Sequence, residues 1–234
     1  MKHRISTIIC MICLILSAAA CKNNGKTDEQ NTENMSTVQI PEEPIIDIET
    51  NFGTITVKLY SKTPKHRDNF VKLVREGYYD GLRFHRVIEG YMIQGGDPYS
   101  RDTSKINLWG QGGPDYTIPA EFVNEYYHKK GAIAAARKGD MANPTKASSG
   151  SQFYIVQDEM NCIHLDGQYT IFGETIQGLD VIDRIAQVET DRMDRPYEDV
   201  MIISAKLQLP EPETAEAPAD STAQTTDAPT PDAE

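Results

Sequence analysis

Between Ile45 and Leu207 the chain breaks into short extended runs separated by glycine-bearing turns, and only two stretches show helical periodicity. The runs are Ile45–Thr50, Thr54–Tyr60, Leu82–Val87, Tyr91–Gln94, Gly131–Ala136, Phe153–Val156, Thr170–Phe172 and Val200–Leu207. The first two flank Asn51-Phe52-Gly53, and the second alternates apolar and polar residues over a β-branched composition, which is a hairpin pattern. Thr63 and Pro64 suit the start of a helix whose stripe is Phe70, Leu73 and Val74 and whose stop is Gly77. A second helix runs from Gly178 to about Ala186 with Leu179, Ile182 and Ile185 on one face. Strands this short must pair to satisfy their backbone groups. Many of them with two helices argue for an antiparallel barrel capped by helices.

The ends are of another kind. Met1-Lys2-His3-Arg4, an apolar run from Ile5 to Leu16, and Ser17-Ala18-Ala19-Ala20 read as a secretory signal over residues 1–20. The apolar run is shorter than the roughly 20 residues a spanning helix needs. Small residues before Cys21 resemble the lipobox of bacterial lipoproteins, which implies a lipidated Cys21 and attachment to a membrane of the cell envelope. Residues 21–43 are polar and without periodicity, a tether; residues 44–209 are the folded domain; residues 210–234 are an acidic Pro/Ala/Thr-rich tail expected to be disordered. The net charge is −12, and seven of the acidic residues lie in that tail, so nothing favours a nucleic-acid partner. Cys162 has no partner cysteine within the domain and reads as a small packed residue.

The chemistry is narrowed first by elimination. There is no metal-ligand spacing, no phosphate-cradling loop and no Gly-x-Ser-x-Gly, and neither a cofactor nor a metal is called for. What remains is one arginine, some glutamines, and apolar or aromatic residues around Phe84-His85-Arg86-Val87-Ile88, Tyr91-Met92-Ile93-Gln94 and Ser151-Gln152-Phe153-Tyr154. Strand alternation puts Phe84 and Arg86 on one face and His85 on the other, as a buried, hydrogen-bonded histidine. Such a set suits an apolar groove with a few directed donors.

These residues resemble the cyclophilin signature. Gln94-Gly95-Gly96-Asp97, Gly112-Gly113-Pro114, Glu121-Phe122, Leu165-Asp166-Gly167 and Phe172-Gly173 continue it in the family's order over residues 45–208. The resemblance implies a mainly β fold, a closed eight-stranded antiparallel barrel with a helix at each end. It also implies a monomeric peptidyl-prolyl cis–trans isomerase whose partners are proline-containing polypeptides. Arg86 would be the catalytic donor, Met92 with Tyr154 the proline pocket, and Gln94 the residue that orients the guanidinium. Phe84, Tyr91, Gln152, His164, Leu165, Tyr169 and the backbone near Ala136-Arg137 would contact substrate.

Several positions depart from the family pattern. Tyr91 and Tyr154 add hydroxyls where phenylalanine is usual, and a buried Tyr154 hydroxyl needs a partner. His164 stands where eukaryotic members carry a tryptophan that binds cyclosporin, which implies weak cyclosporin binding; Tyr169 replaces a groove histidine. The family's Met-Ala-Asn/Arg segment corresponds either to Ala135-Ala136-Arg137, with 138–149 an enlarged loop, or to Met141-Ala142-Asn143; strand continuity favours the first. An isomerase assisting exported proteins is the leading reading. A proline-peptide binding module or holdase with little turnover is the alternative.

Overall fold

The computed structural model describes residues 40–209. The signal segment, Cys21, nearly all of the tether and the acidic tail lie outside the described residues. Eight strands form one sheet: β1 (Ile45–Thr50), β2 (Gly53–Leu59), β3 (Arg86–Ile88), β4 (Met92–Gly95), β6 (Ala132–Ala135), β8 (Phe153–Val156), β9 (Ile171–Gln177) and β10 (Ile202–Leu207). Two further short strands, β5 (Thr117–Ile118) and β7 (Ser148–Ser149), pair separately. The helices are α1 (Pro64–Arg75) and α2 (Leu179–Ala186).

The large sheet has the order β10-β1-β2-β9-β6-β8-β4-β3, antiparallel throughout. It curls until its edges approach, but no ladder joins β3 to β10. The single bridge Arg83↔Met201, with Phe84 N–H donating to Val200 O (2.9 Å) and Ile202 N–H to Leu82 O (2.8 Å), spans the gap. The closed barrel expected from the family is therefore a curled sheet pinned at one seam. Only Arg86 and Val87 of the expected Leu82–Val87 run enter the ladder, because Leu82 O and Phe84 N–H are used on that seam.

Alternation sorts the side chains. Val87, Ile93, Ile155 and Ile133 lie in one transverse row and point inward, where Phe70 and Val74 of α1 and Ile182 and Ile185 of α2 close the core. Each such fully buried aliphatic contributes about 1.5–3 kcal/mol. Gly173 continues the row; a Cβ there would lie 2.5 Å from Lys58 O and 2.9 Å from Ile133 Cγ2. The outward faces of β4, β6 and β8 carry a second apolar cluster, with Met92, Ala132, Ala134, Tyr154 and Val156 in it.

α1 starts at Pro64, but Thr63 does not cap it with its side chain. The free amides are taken by Glu121 from 55 residues away: Lys65 N–H donates to Oε1 (3.1 Å) and His66 N–H to Oε2 (3.0 Å). A carboxylate also complements the positive end of the helix. That capping ties the 117–122 segment, and the loop before it, to the barrel.

Candidate functional site

The register across β3, β4, β8 and β6 sets Arg86, Gln94, Tyr154 and Ala134 side by side on the outer face. The tight Glu89-Gly90 turn, with Gly90 at φ +72°, makes that register possible. Beside the row opens a pocket of about 130 Å³ lined by Arg86, Tyr91, Met92, Gln94, Ala136, Arg137, Tyr154, Leu165 and Tyr169. The volume is that of about four waters in the liquid, enough for one small ring. Its apolar part is Met92, Tyr154, Leu165 and Ala136, all buried. The structure thus brings together nine of the expected groove residues from four separate stretches of chain.

Three others sit elsewhere. Phe84 is only 1% exposed and belongs to the barrel interior, edge-on to Phe153 at 6.2 Å, so it does not line the groove. The alternation argument fails for it because the strand ladder starts two residues later. His164 is exposed at the rim and stacks parallel on Tyr91, with ring centroids 6.2 Å apart. Gln152 lies in the wall of a second, adjoining pocket of about 740 Å³. Its carboxamide holds that wall: Nε2 donates to Gly112 O (2.7 Å) and Gly110 O (3.1 Å), while Oε1 accepts from Gln94 Nε2 (3.1 Å). Gln94 is thereby committed to Gln152, and no hydrogen bond joins it to Arg86.

Arg86 is instead held by a residue that no motif pointed to. Its Nε donates to Asp194 Oδ2 (3.2 Å), and both side chains are 41% exposed. Arg137 is the second groove cation. Its guanidinium lies over the Tyr169 ring (4.4 Å to the centroid), bonds Gln168 O through Nε (2.9 Å) and pairs with Asp140 (2.5 Å). Ala136 and Arg137, following directly from β6, line both pockets, whereas Ala142 and Asn143 line only the larger one.

The Tyr154 hydroxyl finds its partner in His128. Oη lies 2.8 Å from His128 Nε2, and His128 Nδ1 lies 2.6 Å from Asp166 Oδ1. Burial pushes the Tyr154 phenol well above its ordinary range and holds His128 below that of a free histidine, against the raising effect of Asp166. The partners assign the protons: Nδ1–H donates to Asp166, and Tyr154 O–H donates to Nε2. Tyr154→Phe should leave His128 Nε2 buried and unpaired, at a cost of about 1–2 kcal/mol. Since the pocket wall is otherwise unchanged, denaturant melts should show that loss while kcat for an X-Pro peptide stays within about threefold, or 0.65 kcal/mol.

The loop over the second pocket is built around Asp97, which is fully buried. Its carboxylate accepts from Tyr99 N–H (2.7 Å), Gly112 N–H (3.2 Å) and Gly110 N–H. Gly112 must be glycine here, because a Cβ would lie 2.2 Å from Asp97 Oδ1. Against this loop sits His85, buried as expected but with neither ring nitrogen partnered among the described residues. Burial, set against the nearby Asp97 carboxylate, lowers its pKa to about 4. Cys162 is buried, its Sγ 3.6 Å from Tyr91 O, with its thiol pushed up to about 12 by burial. It is packing, not chemistry.

A curled sheet whose outer face sets Arg86 beside a ring-sized pocket has a clear counterpart among known proteins. Residues 45–207 match the family described as cyclophilin type peptidyl-prolyl cis-trans isomerase/CLD. The chain belongs to the cyclophilin family. Human peptidyl-prolyl cis-trans isomerase-like 1 is 38% identical over 163 residues, 69% of this chain and 91% of that protein. Arabidopsis thaliana peptidyl-prolyl cis-trans isomerase CYP71 is 39% identical over 175 residues, 74% of this chain but only 26% of that longer protein. The crystal structure of a Cryptosporidium parvum cyclophilin type isomerase aligns with TM-score 0.62 and 29% identity, covering 71% of this chain and 98% of that one. A second crystal structure of it, in the presence of the dipeptide Ala-Pro, gives 0.61 and 28%, covering 70% and 98%. The cyclophilin fold is thus a mainly β sheet of eight antiparallel strands with two helices. Isomerisation of X-Pro bonds is the activity of its class.

Proposed function

We propose that the groove beside Arg86 is the isomerase site and that it acts on exported polypeptides near a membrane. The observation that carries the first part is the pocket itself, in which Arg86, its terminal nitrogens without a protein partner among the described residues, stands beside a ring-sized recess walled by Met92, Tyr154 and Leu165. An X-Pro bond isomerises in tens to hundreds of seconds because turning it breaks amide resonance, a barrier of about 18–20 kcal/mol. No bond to the enzyme is needed. In the twisted amide the proline nitrogen regains its lone pair, which a guanidinium N–H can bond, while the planar amide offers no such acceptor. That interaction exists only in the transition state, so it lowers the barrier rather than tightening ground-state binding.

The other residues divide the remaining work. Met92, Tyr154 and Leu165 hold the proline ring so that rotation occurs about the bond preceding it. Tyr91, stacked with His164, forms the rim on one side, and Arg137 over Tyr169 the other. Gln152 and Gln94 keep the neighbouring wall in place, where the chain before proline would lie. The Ala-Pro dipeptide present with the Cryptosporidium protein supports a proline-containing ligand for this groove.

Export and anchoring rest on residues 1–21, read as a signal ending in a lipidated cysteine. Two signals are usually needed for stable attachment, and a cleaved, multiply acylated cysteine supplies more than one chain. Expressed in a bacterium, the full-length chain should partition into the detergent phase of a cloud-point extraction and carry acyl groups by mass spectrometry. Cys21→Ala should move it to the aqueous phase. Equal partition of the two would remove the anchor from the account. The groove assignment is tested separately: an X-Pro peptide should shift the Met92 methyl signal, and the same peptide with alanine for proline should not.

A further inference from the structure

We propose that Asp194 is the positioning residue of the isomerase site, fixing the Arg86 guanidinium so that its terminal N–H groups face the pocket. The proposal rests on the reading of Arg86 as the donor to the twisted amide. Its own support is geometric. β3 has three residues and ends the sheet order, so Arg86 has a strand neighbour on one side only. That neighbour, Gln94, is engaged by Gln152. The flexible arginine side chain would then be free to leave the groove, were it not for Asp194.

Asp194 binds β3 at two adjacent points. Its carboxylate takes Arg86 Nε–H (3.2 Å), and its carbonyl accepts Val87 N–H (2.8 Å). Use of the Nε edge leaves both terminal nitrogens of Arg86 without a protein partner among the described residues, and Arg86 lines the pocket. The carboxylate is therefore placed behind the guanidinium, away from where an amide would sit.

The loop that presents Asp194 is built for the purpose. Asp194 has φ +61°, in the left-handed region that favours glycine. Aspartate tolerates that conformation better than most residues, but glycine would adopt it without strain. A carboxylate kept at such a position points to use of the side chain. Asp191 locks the turn: its carboxylate accepts from Met193 N–H (2.7 Å) and Arg195 N–H (3.0 Å), and its carbonyl from Asp194 N–H (3.0 Å). The bridge Thr190↔Pro196 closes the loop behind it.

A carboxylate beside the catalytic cation also opposes its charge. The pair is 41% exposed on both sides, where water screens such interactions to little. Misplacing a catalytic group by about 1 Å can cost 10²-fold in rate. Orientation therefore outweighs charge damping, and losing Asp194 should lower activity.

The test uses the full chain and an X-Pro peptide, with kcat and KM measured separately for Asp194→Gly, Asp194→Asn and Arg86→Ala. Glycine removes the carboxylate while relieving the backbone strain; asparagine keeps an acceptor oxygen. Asp194→Gly should lose about tenfold in kcat with KM within about twofold, since orientation matters in the transition state. Asp194→Asn should stay within about threefold of wild type, because an oriented neutral acceptor replaces the carboxylate. The Arg86 Nε–H signal in a ¹⁵N spectrum should exchange slowly with water in wild type and fast in the glycine variant. A glycine variant with kcat within twofold of wild type, beside an inactive Arg86→Ala, would overturn the role of Asp194 alone. An active Arg86→Ala would instead overturn the reading on which it rests.

Discussion

Replacing Arg86 with alanine should lower kcat/KM for an X-Pro peptide by about 10²–10³-fold, the range seen when one preorganised donor to a developing charge is removed. The fall should appear in kcat. In the planar ground state the proline nitrogen is no acceptor, so Arg86 contributes little to peptide binding there, and Met92, Tyr154 and Leu165 still hold the ring. In the twisted amide the same guanidinium meets a lone pair at the edge of an apolar pocket, where the interaction is strengthened by the scarcity of water. The fold should be unaffected, because Arg86 is half-exposed and its one ion pair, with Asp194, is of the kind worth about 0–1 kcal/mol. Arg86→Lys should restore only part of the rate, since a point ammonium lacks the planar fork.

The second large effect is on stability in acid. His85 has a folded pKa of about 4, against about 6.5 for a free histidine, because it is buried. The unfolded chain therefore binds a proton that the folded chain refuses. Stability contributed by the neutral form is complete above pH 6.5 and is lost as pH falls from there toward 4. The linkage relation gives a loss of about 2 kcal/mol by pH 5. For a domain of this size that corresponds to a drop in Tm of about 4–8 °C. His66 and His128 are lowered too, burial in each outweighing the carboxylate of Glu121 or Asp166, so they add to the same limb. His85→Leu, which cannot titrate and leaves no unpaired ring nitrogen, should flatten it. Melts at pH 7 and pH 5 should show the variant losing about 2 kcal/mol less than wild type between them. Equal losses would mean that His85 is not held neutral.

What the sequence made legible, and what it did not, follows from how local each signal is. Arg86, Met92 and Gln94 could be placed together because they lie at even spacing on two strands joined by the short Glu89–Tyr91 connection, and period-two alternation then decides their face. Tyr154 joined them through a motif at the head of the next strand. The same alternation misled for Phe84, because pairing begins at Arg86 and the preceding residues turn to form the seam with β10. A hydrophobic pattern carries no mark of where a ladder starts. Thr63 looked like the cap of α1, yet Glu121 does that work from another loop, and a tertiary carboxylate has no local signature.

The residues missed at the site share that property. His128, 26 residues before Tyr154, and Asp194, 108 residues after Arg86, belong to no spacing pattern, and only the folded chain brings them to their partners. A signal for His128 did exist: a tyrosine predicted to be buried demands an acceptor, and few histidines were available. Asp194 gave none, since left-handed backbone is invisible in the identity of an aspartate. Gln94 shows the converse. Adjacency to Arg86 across the ladder was readable, but the choice between Arg86 and Gln152 as its partner depends on side-chain directions that only tertiary packing sets.

The most direct test is exchange spectroscopy on one labelled X-Pro peptide with wild type and Arg86→Ala, each at a concentration that saturates binding. The account predicts that both proteins bind the peptide with similar affinity, that wild type produces cis–trans exchange on the millisecond to second scale, and that the alanine variant slows it about 10²-fold or more. Binding without accelerated exchange in wild type, or exchange in the variant within about threefold of wild type, a barrier difference of only 0.65 kcal/mol, would contradict it.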